Sequence, residues 1–191
     1  LTENGRQEAK KAGELINELK LKINFYFSSL QLRANNTLRI IQETMNDKKD
    51  FIRAWELNER HYGVLTGLNK IEMGQKLGEE KVLQFRRSWE LKPEPLDKKS
   101  PFHPLNIATY KSIPTVNIPD TESLKDTYQR VVKFFKSKIE DKISEGNILI
   151  SAHGNSIRAL CKYLFELDEN QITKLEIPTG NPLLINFEKN L

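Results

Sequence analysis

Ile148-Leu149-Ile150-Ser151-Ala152-His153-Gly154-Asn155-Ser156 is the stretch whose reading decides the fold. Three apolar residues in a row predict a short strand covered on both faces, as in a parallel sheet. The polar residues after them predict an exit into a helix, with Gly154 permitting a tight turn and Asn155 or Ser156 able to cap. A histidine is thereby set at the carboxyl end of a buried strand, where open α/β sheets gather ligands. The N–H groups that open the helix carry partial positive charge and suit an anion. Taken alone, His153 is better explained as a cap or as the partner of a neighbour, so a second cluster is needed to overturn that reading.

Working outward, the same strand, polar turn and helix pattern recurs. Ala9, Ala12, Ile16 and Leu19 stand at helical spacing and predict a helix to about Leu19, begun at Thr2 or Asn4. Ile23 to Ser28 reads as a strand, and Ala34, Leu38, Ile41 and Met45 mark a second helix with Arg33 in its first turn. Phe51 to Leu57 is the next strand candidate, running out into Asn58 and Glu59. Leu124, Tyr128, Val131, Phe135, Ile139 and Ile143 define a long amphipathic helix whose charges, from Lys125 to Lys142, belong on a solvated face. A helix over Ile157 to Leu164, a short one near Glu169 to Leu175 and a strand at Leu183 to Phe187 follow. The fold class expected is α/β, a mostly parallel central sheet with helices on both faces. Between Lys92 and Pro119 lie six of the eight prolines, without periodicity. This stretch, 92–119, reads as an insertion that covers the mouth of a site.

At 191 residues and 38% hydrophobic content the chain can bury one good core, so a single domain is expected. The net charge of +4, from 30 basic and 26 acidic residues well interspersed, argues against nucleic acid and fits a small anionic substrate. No apolar run approaches the ~18 residues that span a bilayer, so no membrane role is expected. One cysteine, Cys161 beside Leu160 and Leu164, fits packing and a reducing compartment, with cytoplasm as the expectation. The histidines and the lone cysteine lack ligand spacing, so the chemistry is expected to be metal-free.

The second cluster is Leu57-Asn58-Glu59-Arg60-His61-Tyr62-Gly63, which packs a carboxylate, a guanidinium, an imidazole and a phenol between a strand and a glycine. Together the two runs resemble the cofactor-dependent phosphoglycerate mutases of the histidine phosphatase superfamily. The resemblance extends, in order, to Ser28-Ser29-Leu30 with Arg33, Gly67-Leu68-Asn69-Lys70, Arg86-Arg87-Ser88-Trp89, Lys92 to Asp97, Glu122 to Thr127 and Ile177-Pro178-Thr179-Gly180. It covers essentially the whole chain, and so many short motifs in one order do not arise by chance. The family's Arg-His-Gly nucleophile motif does not occur: the three histidines are His61, His103 and His153. Leu1-Thr2-Glu3-Asn4-Gly5 resembles the stretch just after that motif. Residues 1–191 are therefore read as one phosphoglycerate mutase domain lacking its N-terminal strand and nucleophile loop.

The resemblance implies an isomerase interconverting 2-phosphoglycerate and 3-phosphoglycerate through phosphohistidine, in glycolysis and gluconeogenesis, with 2,3-bisphosphoglycerate as primer. It implies catalytic roles for Glu59, as general acid/base, and for His153, as a donor to the transferring phosphoryl group. Arg33 would clamp that group with its planar fork, helped by Asn155 and the Gly154 N–H. Tyr62, Lys70, Arg86 and Arg87, in the company of Arg60 and His61, would hold the remote end of the substrate. More ordinary fates exist for each: an ion pair for Arg33, an N-cap or a bridge to Arg60 for Glu59, a basic turn for Arg86-Arg87, a buried structural role for His61. Two other functions compete with the isomerase. One is a bisphosphoglycerate phosphatase or synthase of the same superfamily; the other is a non-catalytic binder of phosphorylated ligands, should the nucleophile be truly absent. The partners implied are a small phosphorylated substrate and further copies of the chain, as a homodimer or homotetramer.

Overall fold

The unbroken burial of Tyr26 to Ser29 suits Ile23–Ser29 to the middle of a sheet, and its two faces find different neighbours. In the computed structural model, residues 1–188 are described, apart from the side chains of Lys70, Lys76, Leu83, Arg86 and Arg87. The chain divides into two compact units, the first formed by Leu1–Ala54, Phe134–Ala152 and the residues from Pro178 on, the second by Trp55–Lys133 and His153–Ile177.

The first unit holds α1 (Glu3–Glu18), β1 (Ile23–Ser29), α2 (Leu32–Thr44), β2 (Ile52–Ala54) and, later in the chain, β3 (Asn147–Ser151). Thr2 caps α1 by accepting the Gly5 N–H at 3.1 Å. Ala12 and Ile16 of α1 meet Leu38 and Ile41 of α2 over Ile23 and Tyr26 of β1 in one apolar cluster. The helices approach so closely that a Cβ on Gly13 would lie 2.7 Å from Thr44 Cβ. Phe27, on the opposite face of β1, is fully buried and meets Phe134 edge to face at 6.2 Å. Both faces of the central strand are therefore covered.

The sheet is parallel, in the order β2-β1-β3, with Ser29 opposite Ala54 and Ser28 opposite Ser151. Its strands thus end level, and from their carboxyl ends the chain runs on to Arg33, Glu59 and His153. β3 is only half-buried, because among the described strands it has a neighbour on one side alone. β2 is shorter than expected and passes at Trp55–Leu57 into a 3-10 turn. The strand expected at Leu183–Phe187 does not form; no described strand pairs with it, and Leu183, Leu184 and Phe187 stay about half exposed. The long helix also differs: α5 (Leu124–Phe134) gives way to a π turn at Phe135–Ile139 that keeps both of those residues buried, then to 3-10 turns.

The second unit contains α3 (Lys70–Leu77), α4 (Glu79–Arg87), most of α5, α6 (Gly154–Leu164) and α7 (Glu169–Lys174). Trp89, Leu124 and Ile172 centre its core. The proline-rich insertion is built of 3-10 turns tied at their base. Thr121 donates to the Pro93 carbonyl at 2.7 Å, and the Leu96 N–H to the Asp120 carbonyl at 3.1 Å. His103 is wholly buried there; its Nε2 pairs with Asp120 at 3.0 Å while Nδ1 accepts the Leu105 N–H at 3.2 Å.

Candidate active site

Helix α6 is capped two or three residues earlier than the sequence suggests. Its cap is His153, whose N–H donates to Ser156 Oγ at 3.0 Å while the Ser156 hydroxyl returns a bond to the His153 carbonyl. Because Ser156 reaches back in this way, Asn155 is not needed as a cap and its side chain turns elsewhere. Gly154 has no positive φ, so the turn does not depend on glycine. A Cβ there would meet nothing within 4 Å, which leaves the head of the helix approachable.

Asn155 is buried, and its amide is committed at both ends. Nδ2 donates to Glu59 Oε1 at 2.7 Å and to the Tyr62 hydroxyl at 2.8 Å, while Oδ1 accepts from Arg158 at 2.8 Å. Arg158 is held in turn by the Leu175 carbonyl through Nε and Nη2. Glu59 Oε1 also accepts the Arg60 N–H at 2.7 Å. One carboxylate oxygen of Glu59 is thus fixed by two donors.

Arg60 is buried, with its guanidinium 4.6 Å from the Tyr62 ring centre. Its Nη2 donates to the Phe85 carbonyl, but Nε and Nη1 are buried with no hydrogen-bond partner among the described residues. A buried cation in that condition asks for an acceptor.

His61 has both ring nitrogens engaged. Nδ1 meets Glu122 Oε2 at 2.8 Å and Nε2 meets the Tyr110 hydroxyl at 3.3 Å, and that hydroxyl accepts from Asn58 Nδ2 at 2.8 Å. The consistent assignment has Nδ1–H donating to the carboxylate and Tyr110 donating to Nε2. Glu122 is buried beside Arg130. Burial by itself would raise its carboxyl, but the charge and hydrogen bonds of Arg130, with those of His61, hold it well below the usual carboxylate range.

Of the residues singled out in the sequence, the second unit brings Glu59, Arg60, Tyr62 and Asn155 into direct contact, with His153 and Gly154 heading the helix that carries Asn155. Arg33 lies exposed in the first turn of α2, in the first unit. Lys70, Arg86 and Arg87 belong to α3 and α4, and their side chains lie outside the described residues. The sequence reading missed Arg158, Tyr110 and above all Arg130, which it counted among solvated charges. Arg130 is buried. The signal was available, since Arg130 stands three residues after buried Thr127 and four before Phe134, on the inward stripe of α5. Among the described residues no group of three or more His, Cys, Asp or Glu could hold a metal, and no helix is long and apolar enough to cross a membrane.

Residues 1–102 and 102–190 match the histidine phosphatase superfamily (branch 1). A 2,3-bisphosphoglycerate-dependent phosphoglycerate mutase of Pelagibacter ubique is 64% identical over 189 residues, covering 98% of this chain and 79% of the relative. One from Hydrogenobaculum is 44% identical over 193 residues, covering 100% and 78%. Among solved structures, the mycobacterial glucosyl-3-phosphoglycerate phosphatase aligns with a TM-score of 0.66 at 20% identity, over 94% of this chain and 76% of that one. YhfR of Bacillus stearothermophilus gives the same TM-score and identity over 94% and 75%. The structural likenesses show the α/β fold and the sequence relatives show the lineage: the chain belongs to the histidine phosphatase superfamily, among its 2,3-bisphosphoglycerate-dependent phosphoglycerate mutases.

Proposed function

We propose that this protein interconverts 2-phosphoglycerate and 3-phosphoglycerate through a phosphohistidine intermediate, serving glycolysis and gluconeogenesis. The observation that carries the reading is the fixed carboxyl of Glu59, held at Oε1 by Asn155 and by the Arg60 N–H. A carboxyl so oriented can take the proton of a substrate hydroxyl as that oxygen attacks phosphorus and the N–P bond breaks, and can return it in the reverse step. His61 and His103 have both ring nitrogens engaged, so neither is the phosphoryl carrier. That part falls to the histidine of the family's Arg-His-Gly motif, which residues 1–191 do not contain. His153, at the head of α6, is the donor to the transferring group, with the Gly154 N–H and Asn155 beside it; for Arg33 the clamp's role rests on the family resemblance alone.

Arg60, Tyr62, His61, Lys70, Arg86 and Arg87 serve the remote carboxylate and phosphate. The unpartnered Nε and Nη1 of buried Arg60 fit an anionic ligand, 2,3-bisphosphoglycerate included. When bound, 2,3-bisphosphoglycerate supplies the phosphoryl group with which the enzyme is loaded. The primer dependence named in the relatives supports this, and no step of the reading calls on a metal. A homodimer or homotetramer in the cytoplasm completes the reading.

The test is mutase turnover of the full-length gene product with and without 2,3-bisphosphoglycerate, alongside release of inorganic phosphate. Primer-stimulated isomerisation with slow phosphate release is expected, and Glu59→Gln should cut turnover by about 10²- to 10⁴-fold while sparing ligand binding. Fast phosphate release would favour a bisphosphoglycerate phosphatase instead.

A further inference from the structure

The segment that carries Glu59 has left the sheet, so the backbone carbonyls of Glu56, Asn58 and Glu59 have no strand beside them to supply donors. One buried side chain does so. Arg130 Nη1 donates to the Glu56 carbonyl at 2.6 Å and to the Asn58 carbonyl at 3.0 Å, and Nη2 reaches the Glu59 carbonyl at 3.3 Å. The same guanidinium meets Glu122 as a fork, Nε to Oε1 at 2.6 Å and Nη2 to Oε2 at 2.8 Å. Glu122 grips the other end of the segment: its Oε2 accepts the His61 N–H at 2.9 Å, and its own N–H donates to the His61 carbonyl at 2.8 Å. The Trp55 ring centre lies 5.7 Å from the guanidinium carbon.

We propose that Arg130 and Glu122 are the positioning pair for Glu59, a role that rests on the acid/base reading of that residue. Neither touches the Glu59 carboxyl; both hold the backbone from which it projects. Only arginine offers a planar fork wide enough to face a carboxylate on one edge and several carbonyls on another, so lysine cannot replace it here. A buried ion pair is seldom a better stabiliser than apolar residues of the same volume, which makes geometry the better reason for this one. Because each charge is met by the other, the pair fixes the segment without adding net charge beside an anionic substrate.

The experiment is a double-substitution cycle on the full-length protein, comparing Arg130→Lys, Glu59→Gln and the two combined. With Glu59 intact, Arg130→Lys is expected to lower kcat by about 10- to 100-fold and to leave KM within about threefold, as displacement of a reacting group does. With Glu59→Gln already present, Arg130→Lys should change kcat by no more than about twofold, because its effect runs through the carboxyl that is gone. Two full, multiplying losses, or unchanged kcat for Arg130→Lys, would overturn the pairing while leaving the acid/base reading in place. Near-normal turnover for Glu59→Gln alone would remove that reading and the pairing with it. Where Arg130→Lys gives no cooperative melt, Glu122→Gln is read by the same cycle, and failure of both to fold assigns the pair to stability instead of positioning.

Discussion

Replacing Asn155 with leucine keeps the number and branching of the side chain's heavy atoms and removes every polar contact it makes. The structure sets the magnitude. The bond from Nδ2 to Glu59 Oε1, at 2.7 Å, is made to a carboxylate, and such bonds are worth about 1.5–3 kcal/mol. If that energy is what orients the carboxyl in the transition state, its loss is worth about 10- to 150-fold in kcat at about 1.36 kcal/mol per factor of ten. The bond to the Tyr62 hydroxyl, at 2.8 Å, joins two neutral groups and is worth about 0.5–1.5 kcal/mol, so KM should rise by about 2- to 10-fold. Arg158 Nη1 loses the Asn155 acceptor at the same time, while Nε and Nη2 keep the Leu175 carbonyl, a cost to folding of about 1–3 kcal/mol. For a chain of this length that lowers Tm by about 2–12 °C. Steady-state mutase turnover at saturating 2,3-bisphosphoglycerate, with a thermal melt of the same sample, separates the effects. A folded Asn155→Leu protein that turns over within twofold of the parent would show that Glu59 needs no help from α6, and the account of the site would be wrong.

Three further outcomes are expected. Glu122 sits below its ordinary pKa of 4.5 in the folded state, so the unfolded chain takes up the proton first. The stability it contributes is complete above that value and is lost as pH falls from about 4.5 toward the folded pKa; a denaturant series showing no acid loss, or the same loss after Glu122→Gln, counts against this. Gly63 has φ +54° and a Cβ there would lie 2.1 Å from the Glu94 carbonyl oxygen, so Gly63→Ala should destabilise by upwards of about 1–3 kcal/mol, read from the shift in urea midpoint. Burial pushes the Cys161 thiol up, so a maleimide should label it only on unfolding, and rapid labelling of the native protein would contradict its placement in the core.

Periodicity made α1, β1, α2, β3 and α7 legible within a residue or two, because each is a short element whose apolar spacing and flanking caps agree. It failed where tertiary partners decide. Leu183–Phe187 has the composition of a strand, but composition cannot supply a neighbour, and without one no ladder forms. The site was legible as residue types at strand ends: Glu59 and Asn155 were both singled out, yet nothing in one dimension shows that they share a hydrogen bond across some hundred residues. Arg130 and Arg158 were harder still. On a helix crowded with lysines an inward arginine looks like its neighbours until the carbonyls it serves are seen.

Tyr110 links the proline-rich excursion to the turn that carries Glu59, since its buried phenol stands against both Asn58 and His61. The excursion is therefore a strut. Anyone exchanging this loop for that of a relative would be changing the scaffold under the segment that carries Glu59 as well. A transplant lacking a phenol at that position should slow the reaction even for the substrate it was meant to leave alone.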